Sequence, residues 1–189
     1  MINEWSKVKR PEQEELERRL EAAREGLAER QLKIRDGKVP VLVLFEGFGA
    51  AGKGSVLGKI IKNMDPRFYS VDTMKSPTEE EMRKPFLCRY FERIPEAGRF
   101  VFLDGGWVEE VVSDRVHDRL SDGKYKERVD SIKRFERTLT DNGDLVMKFF
   151  FHIDKDVQKE RLETLEAHKN TSWRVSKEDL YQNRHYKKY

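Results

Sequence analysis

The sequence predicts an α/β fold in which a parallel sheet is flanked by helices, with an extra helix at the N-terminus. Four short apolar runs alternate with segments of helical periodicity, and this alternation is typical of a sheet covered by helices on both faces. The first run, "VPVLVLF", is rich in β-branched residues, as expected of a strand that is buried on both faces. Neither an internal repeat nor a low-complexity linker interrupts the pattern.

The N-terminal helix is predicted over residues 11–36. Pro11 suits the first turn of a helix, and the glutamates that follow it suit the positive end of the helix dipole. A helical stripe of apolar residues comes next, and Gly37 is the residue type that ends helices. We therefore expect an amphipathic helix within residues 1–37 that packs on the domain or on a partner, and one folded domain over 38–189.

The other elements follow in order along the chain. Strands are predicted at 39–45, 68–74, 99–104 and 144–153. Helices are predicted at 55–64, 107–120, 125–140, 154–168 and from 176 onward, with a polar loop over 168–175. A capped helix is predicted to begin at Ser76 or Thr78 and to be interrupted by Pro85.

The stretch "EGFGAAGKGS", between the first strand and the next helix, predicts a phosphate-binding loop. Gly47-x4-Gly52-Lys53 has the spacing G-x-x-x-x-G-K. The N–H groups of such a turn point at phosphate oxygens, the next helix adds its positive end, and Lys53 supplies a mobile charge. The hydroxyl comes at Ser55, one place after Gly54. The pattern predicts a P-loop NTPase-like fold, and a glycine-rich turn without a ligand is the alternative.

A second candidate group is Asp104, which ends the apolar run "RFVFLD". In phosphate-loop enzymes a carboxylate at this strand end helps to hold Mg²⁺ or its water. Mg²⁺ prefers such oxygen ligands and keeps waters and substrate phosphates as its remaining ligands. The alternative for Asp104 is a capping role in the following turn.

Composition excludes several classes of protein. The 38 Lys and Arg nearly balance 35 Asp and Glu, and a net charge of +3 does not indicate a nucleic-acid binder. The single cysteine, Cys88, excludes an intrachain disulfide and a cysteine-rich metal site. No segment approaches the length of a membrane span and no secretory signal is evident. We expect a cytoplasmic protein without nucleic-acid or membrane partners.

Several separated motifs, in the same order, resemble the polyphosphate kinase 2 family. They are "EGFGAAGKGS", "MDPRFYSVDTMKSPTEEEMRKPFLCRYFERIPEAGRFVFLD", "RFERTLTDNGDLVMKFFFHIDKDVQKERL" and "TSWRVSKEDL". The end of the chain resembles one half of the tandem-domain polyphosphate:AMP phosphotransferases. The resemblance implies a P-loop kinase-like domain over 38–189 that moves a phosphoryl group between inorganic polyphosphate and AMP or ADP with Mg²⁺. We expect the family's last helices to fall outside this sequence.

The resemblance also implies roles for matching residues. Lys53 would hold phosphates, and Asp104 would act in the Mg²⁺ shell or orient the acceptor phosphate. Basic positions that match the family are Lys75, Arg83, Arg89, Lys148, Arg161 and Arg174, the last beside Trp173. The candidate phosphate- and nucleotide-binding residues are Gly47, Gly49, Ala50, Ala51, Gly52, Lys53, Gly54, Ser55, Lys75, Arg83, Arg89 and Arg115. Phosphoryl transfer needs such cations because the charge of the moving group must be neutralised.

The chain departs from the family pattern at two places. Gly49 stands where the family's loop usually has aspartate. After Asp104 the chain reads "GGWVEE", whereas the family has arginine, serine, tryptophan and tyrosine followed by a polar and a basic residue. Arg115, Arg119 and Lys124 are candidates to compensate for the lost cations.

Three functions stay open at this point. The first is a polyphosphate-dependent nucleotide kinase. The second is a weakened domain that binds polyphosphate or nucleotide as a scaffold or partner subunit, for which the glycines after Asp104 are the evidence. The third, suggested by "AGKGS", is a nucleoside-monophosphate kinase that uses ATP as donor. For each we expect a homo-oligomer or pairing with a second similar domain.

Overall fold

The computed structural model describes residues 11–189 and contains a four-stranded parallel sheet in the order β2-β3-β1-β4. The strands are β1 (Val41–Gly47), β2 (Tyr69–Thr73), β3 (Phe100–Asp104) and β4 (Leu145–Phe151). Every ladder is parallel, with Val41 opposite Phe100 on one side and Leu145 on the other. The predicted α/β sheet is confirmed, and residues 1–10 of the predicted N-terminal segment lie outside the described residues.

Eight α-helices connect and cover the strands of the described part. They are α1 (Gln13–Asp36), α2 (Lys53–Ile60), α3 (Glu79–Arg83), α4 (Cys88–Phe91), α5 (Trp107–Val116), α6 (Asp122–Asp141), α7 (Lys155–Ala167) and α8 (Lys177–Arg184). Thr78 caps α3 through a capping box with Glu81, as its sequence predicts. Single 3₁₀ turns lie at Ile61–Asn63, Pro66–Phe68, Ser172–Arg174 and Tyr186–Lys188.

Two helix boundaries on either side of Asp118 differ from the prediction. The helix predicted over 107–120 ends at Val116, because Asp118 takes a positive φ of 56° and breaks it. The following helix begins three residues earlier than predicted, at Asp122, where the side chain of Ser121 accepts the N–H of Lys124. Together these changes place a tight turn between α5 and α6.

The core lies on both faces of β1. All seven residues of this strand are buried, as expected from its apolar sequence. One face packs on Trp107, Phe135 and their neighbours from α5 and α6. The other face packs against α2 and against Leu27 and Ile34 of α1. The side chain of Gln31 fixes α1 further, because it accepts the N–H of Asp65 at 2.8 Å and donates to its carbonyl at 3.1 Å.

The strand β4 forms one edge of the sheet and is less covered than β1. Leu145, Phe149 and Phe150 are exposed by 44%, 46% and 62%. Leu145 and Phe149 lie on one face of this edge strand and Phe150 lies on the other, and folded domains usually cover such edges. Among residues 11–189, none of the helices has the length and the apolar content that crossing a bilayer requires.

Candidate phosphate-binding site

The predicted phosphate loop, residues 47–52, lies at the carboxyl edge of the sheet between β1 and α2. Gly47 and Gly52 take φ values of 125° and 100°, a region that glycine adopts without strain. A Cβ on Gly47 would lie 2.7 Å from the backbone nitrogen of Phe151, so β4 approaches the loop too closely for any other residue. The glycine spacing is therefore explained by the backbone geometry of the loop, in addition to the phosphate ligand that the spacing predicts.

The first turn of α2 supplies free donors. The N–H groups of Lys53, Gly54 and Ser55 have no partner inside the helix, because they belong to its first turn. They carry the positive end of the helix dipole, which favours an anion at this point. Gly54 and Ser55 are exposed, and Ala50, Ala51 and Gly52 are partly exposed. The residues that carry these donors are thus accessible from solvent.

Lys53 is already paired with a carboxylate. Its Nζ donates to Oε2 of Glu109 at 2.9 Å and to the carbonyl of Gly47 at 3.0 Å. The same Oε2 accepts the N–H of Gly47 at 3.2 Å. Burial raises the pKa of Glu109, and the Lys53 ammonium opposes this rise. Glu109 therefore occupies two donors that a phosphate oxygen could use.

The departure "GGWVEE" has a structural counterpart in Glu46. Its Oε1 accepts the N–H groups of Val108 at 2.8 Å and Glu109 at 3.2 Å, at the start of α5. A Cβ on Gly106 would lie 2.5 Å from that oxygen, so the glycine leaves the room that Glu46 fills. Burial raises the pKa of Glu46, and these backbone donors oppose the rise. Glu46 thereby fixes the helix that carries Glu109.

Asp104 ends β3 beside the start of α2. A Cβ on Gly54 would lie 4.0 Å from Oδ2 of Asp104, so the carboxylate faces the first turn of that helix. Burial raises the pKa of Asp104, and Lys53 opposes the rise. Within residues 11–189 no three acidic, histidine or cysteine side chains form a closed metal cage. A single carboxylate at an open phosphate site nonetheless fits Mg²⁺, which takes its other ligands from substrate phosphates and water.

Helices α7 and α8 hold the loop from the other side, which the sequence did not predict. Gly49 donates its N–H to Oε1 of Gln182 at 2.8 Å, and Gln158 donates to the carbonyl of Gly49 at 3.2 Å. Gln158 also donates to Gln182 at 2.8 Å, and both amides are buried. Arg161 donates to the carbonyl of Ala50 at 3.1 Å. Two glutamines among many polar residues in a helix carry no sequence signal of such a role.

The basic residues after β2 are divided between the surface and the interior. Lys75 and Arg83 are exposed. Arg89 is buried, and its Nη2 donates to the carbonyl of Lys75 at 2.7 Å while its Nη1 donates to Glu110 at 3.3 Å. The hydroxyl of Tyr90 also donates to Glu110, at 2.7 Å. The charge of Arg89 is therefore largely neutralised inside the protein.

Four other predicted residues are engaged elsewhere. Arg115 lies in the last turn of α5, where it donates to the carbonyl of Leu120 and pairs with Asp122. Lys148 pairs with Glu136 at 2.6 Å. Trp173 is 76% exposed, with the Arg174 guanidinium 5.3 Å from its ring centre. The structure does not bring these four to the loop in this conformation, and Arg119 likewise pairs with Asp114 at 3.2 Å.

Comparison with known proteins places this geometry in context. The family model described as polyphosphate kinase 2 matches residues 10–189. A polyphosphate:AMP phosphotransferase of Pseudomonas aeruginosa is 35% identical over 167 residues, 88% of this chain and 34% of that protein. An AMP/ADP-polyphosphate phosphotransferase of Meiothermus ruber is 30% identical over 92% of this chain and 63% of its own length. Both similarities extend over nearly the whole of this chain.

The fold comparison agrees with the sequence comparison. The crystal structure of polyphosphate kinase 2 from Arthrobacter aurescens TC1 superimposes with a TM-score of 0.84 at 30% identity, covering 90% of this chain and 62% of that one. The chain spans about a third of the length of the first curated relatives that it matches. The match therefore covers the phosphate loop and the sheet, and leaves a large part of each relative outside the comparison.

Proposed function

We propose that this chain, which belongs to the polyphosphate kinase 2 family, transfers a phosphoryl group between inorganic polyphosphate and AMP or ADP with the help of Mg²⁺. The observation that carries the proposal is the meeting of Lys53, the first turn of α2 and Asp104 at one open edge of the sheet. Relatives of this chain are named for polyphosphate phosphotransfer to AMP and ADP. In one direction polyphosphate donates the phosphoryl group, and in the reverse direction polyphosphate is the product that receives it.

The chain's own part in the reaction is to bind and align phosphates. The N–H groups of Lys53, Gly54 and Ser55 and the ammonium of Lys53 hold phosphate oxygens, and Glu109 gives up its hold on Lys53 when the anion arrives. The protein takes little part in the covalent chemistry of such a transfer, so the acceleration comes from aligning the phosphates and neutralising their charge. Lys75, two residues after β2, and Arg83, the last residue of α3, are exposed and free to meet the second substrate.

Asp104 is the residue that would hold the metal. Its carboxylate faces the first turn of α2, where the phosphates lie. Mg²⁺, when bound, neutralises the negative charge that the moving phosphoryl group shares with its neighbours. The raised pKa of Asp104 is consistent with this role, because a cation relieves the cost of a buried carboxylate.

A second candidate function is a domain that binds polyphosphate or nucleotide without turnover. Two observations favour it: Glu109 fills part of the anion position, and Glu110 neutralises Arg89. Such a domain would act as a scaffold or as a partner of an active domain. The exposed apolar residues of the edge strand β4, Leu145, Phe149 and Phe150, support pairing with a second similar domain or a second copy, in a cytoplasmic setting. Sedimentation of the chain at several concentrations tests the pairing with a second copy.

One assay separates the candidates. The chain is incubated with Mg²⁺, with AMP or ADP as acceptor, and with either polyphosphate or ATP as donor. The proposal predicts ADP and ATP formation with polyphosphate and not with ATP as the sole donor for AMP. Formation of ADP from ATP and AMP at a higher rate than from polyphosphate would indicate a nucleoside-monophosphate kinase. Calorimetric binding of polyphosphate without any product would indicate the binding domain.

A further inference from the structure

A carboxylate from α8 lies directly against the phosphate loop at Gly49. A Cβ added to Gly49 would lie 2.7 Å from Cγ and 3.1 Å from Cβ of Asp179, and nearer still to its Oδ1. The absence of a side chain at position 49 is therefore what admits Asp179. The space into which residue 49 would project its own side chain holds the carboxylate of residue 179 instead.

Only one of the two Asp179 oxygens is used by the protein. Oδ2 accepts the N–H of Ser176 at 2.8 Å and its hydroxyl at 2.6 Å, which caps α8. Among the described residues, no hydrogen bond is made to Oδ1, which points at the loop. Asp179 is only half-buried, so a ligand can reach this oxygen while α8 stays folded.

The position of Asp179 relative to the loop is fixed from two sides. Gln182, one turn further along α8, accepts the N–H of Gly49 and is itself held by Gln158. On the opposite side Glu178 accepts hydrogen bonds from Ser113 at 2.8 Å and from Tyr189 at 2.5 Å, and it contacts His117 at 2.9 Å. These contacts join α8 to the loop and to α5. The helix that carries Asp179 is therefore held in place by contacts on both sides.

We propose that Asp179 is a substrate-facing residue whose Oδ1 meets the Mg²⁺-bound phosphates that the loop would hold. This inference rests on the proposed function, since it needs a phosphate chain at residues 47–52. Asp104 faces the first turn of α2 from the end of β3, whereas Asp179 lies against Gly49 from α8. Two carboxylates on different sides of the loop allow Mg²⁺ to be held without a closed cage, in keeping with its preference for few protein ligands.

The test is the binding of tripolyphosphate by calorimetry, with Mg²⁺ and with EDTA in its place, to the wild type, Asp179→Asn and Glu166→Gln. Asparagine keeps the size of the side chain and its acceptor for Ser176, and Glu166, which is exposed in the last turn of α7, is the matched control. In EDTA, Asp179→Asn is expected to bind about tenfold more tightly than the wild type, because a negative charge that faces the anion is gone. With Mg²⁺ the same variant is expected to bind more weakly than the wild type, and Glu166→Gln is expected to match the wild type in both conditions.

A second pair of variants moves the carboxylate. Gly49→Asp alone is expected to lower the Tm by about 5 °C, because its side chain competes with Asp179 for one space. In Gly49→Asp/Asp179→Ala the Tm is expected to recover only in part, because the clash is removed but the cap that Asp179 gives to α8 is lost. The wild-type Mg²⁺ dependence of binding is expected to return in this double variant, whereas a purely structural role for Asp179 would leave the Mg²⁺ dependence unrestored.

The outcomes separate this inference from the proposed function. If wild type binds tripolyphosphate and Asp179→Asn shows the same affinity with and without Mg²⁺ as the wild type, the role of Asp179 is wrong and the kinase proposal stands. If Asp179→Asn changes tripolyphosphate binding as expected but the wild type forms no product, the role of Asp179 stands and the proposed phosphoryl transfer is wrong. If wild type binds neither tripolyphosphate nor nucleotide, both proposals fail.

Discussion

Lys53 Nζ lies 2.9 Å from Oε2 of Glu109, and the same oxygen accepts the N–H of Gly47. The lysine of the phosphate loop is thus held by a carboxylate of the protein itself, at a place where a phosphate oxygen would make the same two hydrogen bonds. The Lys53 side chain is only 14% exposed, so this pair is poorly screened by solvent. A phosphate that uses the Lys53 ammonium and the Gly47 N–H has to displace Glu109 from these two donors.

Replacing Glu109 by glutamine is expected to strengthen the binding of polyphosphate. The neutral side chain competes less for Lys53 and does not repel the incoming anion. We expect the Kd for tripolyphosphate to fall about tenfold in calorimetry, the scale of one charged hydrogen bond in a partly buried site. Glu127→Gln, on the exposed surface of α6, is the matched control and should leave the Kd unchanged. An unchanged or higher Kd in Glu109→Gln would show that the pair does not compete with the ligand.

The same pair predicts a pH dependence of binding. Burial and the nearby Asp104 raise the pKa of Glu109, and Lys53 opposes them without reversing the shift, so Glu109 takes up a proton at a higher pH than a free glutamate does. As the pH falls towards 5, the wild type loses the competing charge and its affinity should approach that of Glu109→Gln. Measuring both proteins at each pH cancels the titration of the ligand. A ratio of the two Kd values that stays constant between pH 8 and pH 5 contradicts the prediction.

The buried pair of Arg89 and Glu110 should be important for stability. The two side chains are 7% and 15% exposed and lie 3.3 Å apart, so removing one charge leaves the other buried without its partner. We expect Arg89→Met to lower the free energy of unfolding by about 3–5 kcal/mol in urea. Arg137→Met, which breaks an exposed pair with Asp141, should cost less than about 1 kcal/mol. Equal effects of the two variants would argue against a structural role for Arg89.

Two glycine-to-alanine substitutions should act in opposite directions. At Gly47 a Cβ would meet the backbone of Phe151, and the φ of 125° is unfavourable for alanine, so Gly47→Ala should lose about 3 kcal/mol or more. At Gly123, inside α6, no atom lies within 4 Å of an added Cβ, and Gly123→Ala should gain about 0.5–1 kcal/mol. Urea unfolding of both proteins measures the difference. A tolerated Gly47→Ala would mean that β4 does not hold the loop as closely as described.

The sequence predicted the features that depend on neighbouring residues. The strand β1, the loop after it and the helix α2 lie within one short stretch, so apolar runs and glycine spacing were sufficient to predict them. Asp104 was predicted for the same reason, since it ends an apolar strand. The helix cap at Thr78, one of the two predicted candidates, likewise depends on residues three positions apart.

The contacts that define the site's chemistry depend on distant parts of the chain. Glu109 and Gly47 are 62 residues apart, and Gln182 and Gly49 are 133 apart. The glutamates after Trp107 are visible in the sequence only as a departure from the family pattern, whereas the structure pairs Glu109 with Lys53 and Glu110 with Arg89. Gly49 appeared only as a missing carboxylate, because nothing in its neighbourhood reveals that α8 brings Asp179 to the same place. Pairing across such separations follows from the packing of whole helices.

The measurement that tests the central claim most directly is the formation of ADP from AMP and polyphosphate in the presence of Mg²⁺, compared between the wild type, Lys53→Ala and Lys62→Ala. Lys62 is an exposed lysine in the turn after α2 and serves as the matched control. We predict product with the wild type and with Lys62→Ala, and a loss of at least about 100-fold with Lys53→Ala, because one phosphate-facing cation is removed. Equal rates for all three proteins, or no product above the blank at high concentrations of the wild type, would contradict the claim that this loop supports phosphoryl transfer.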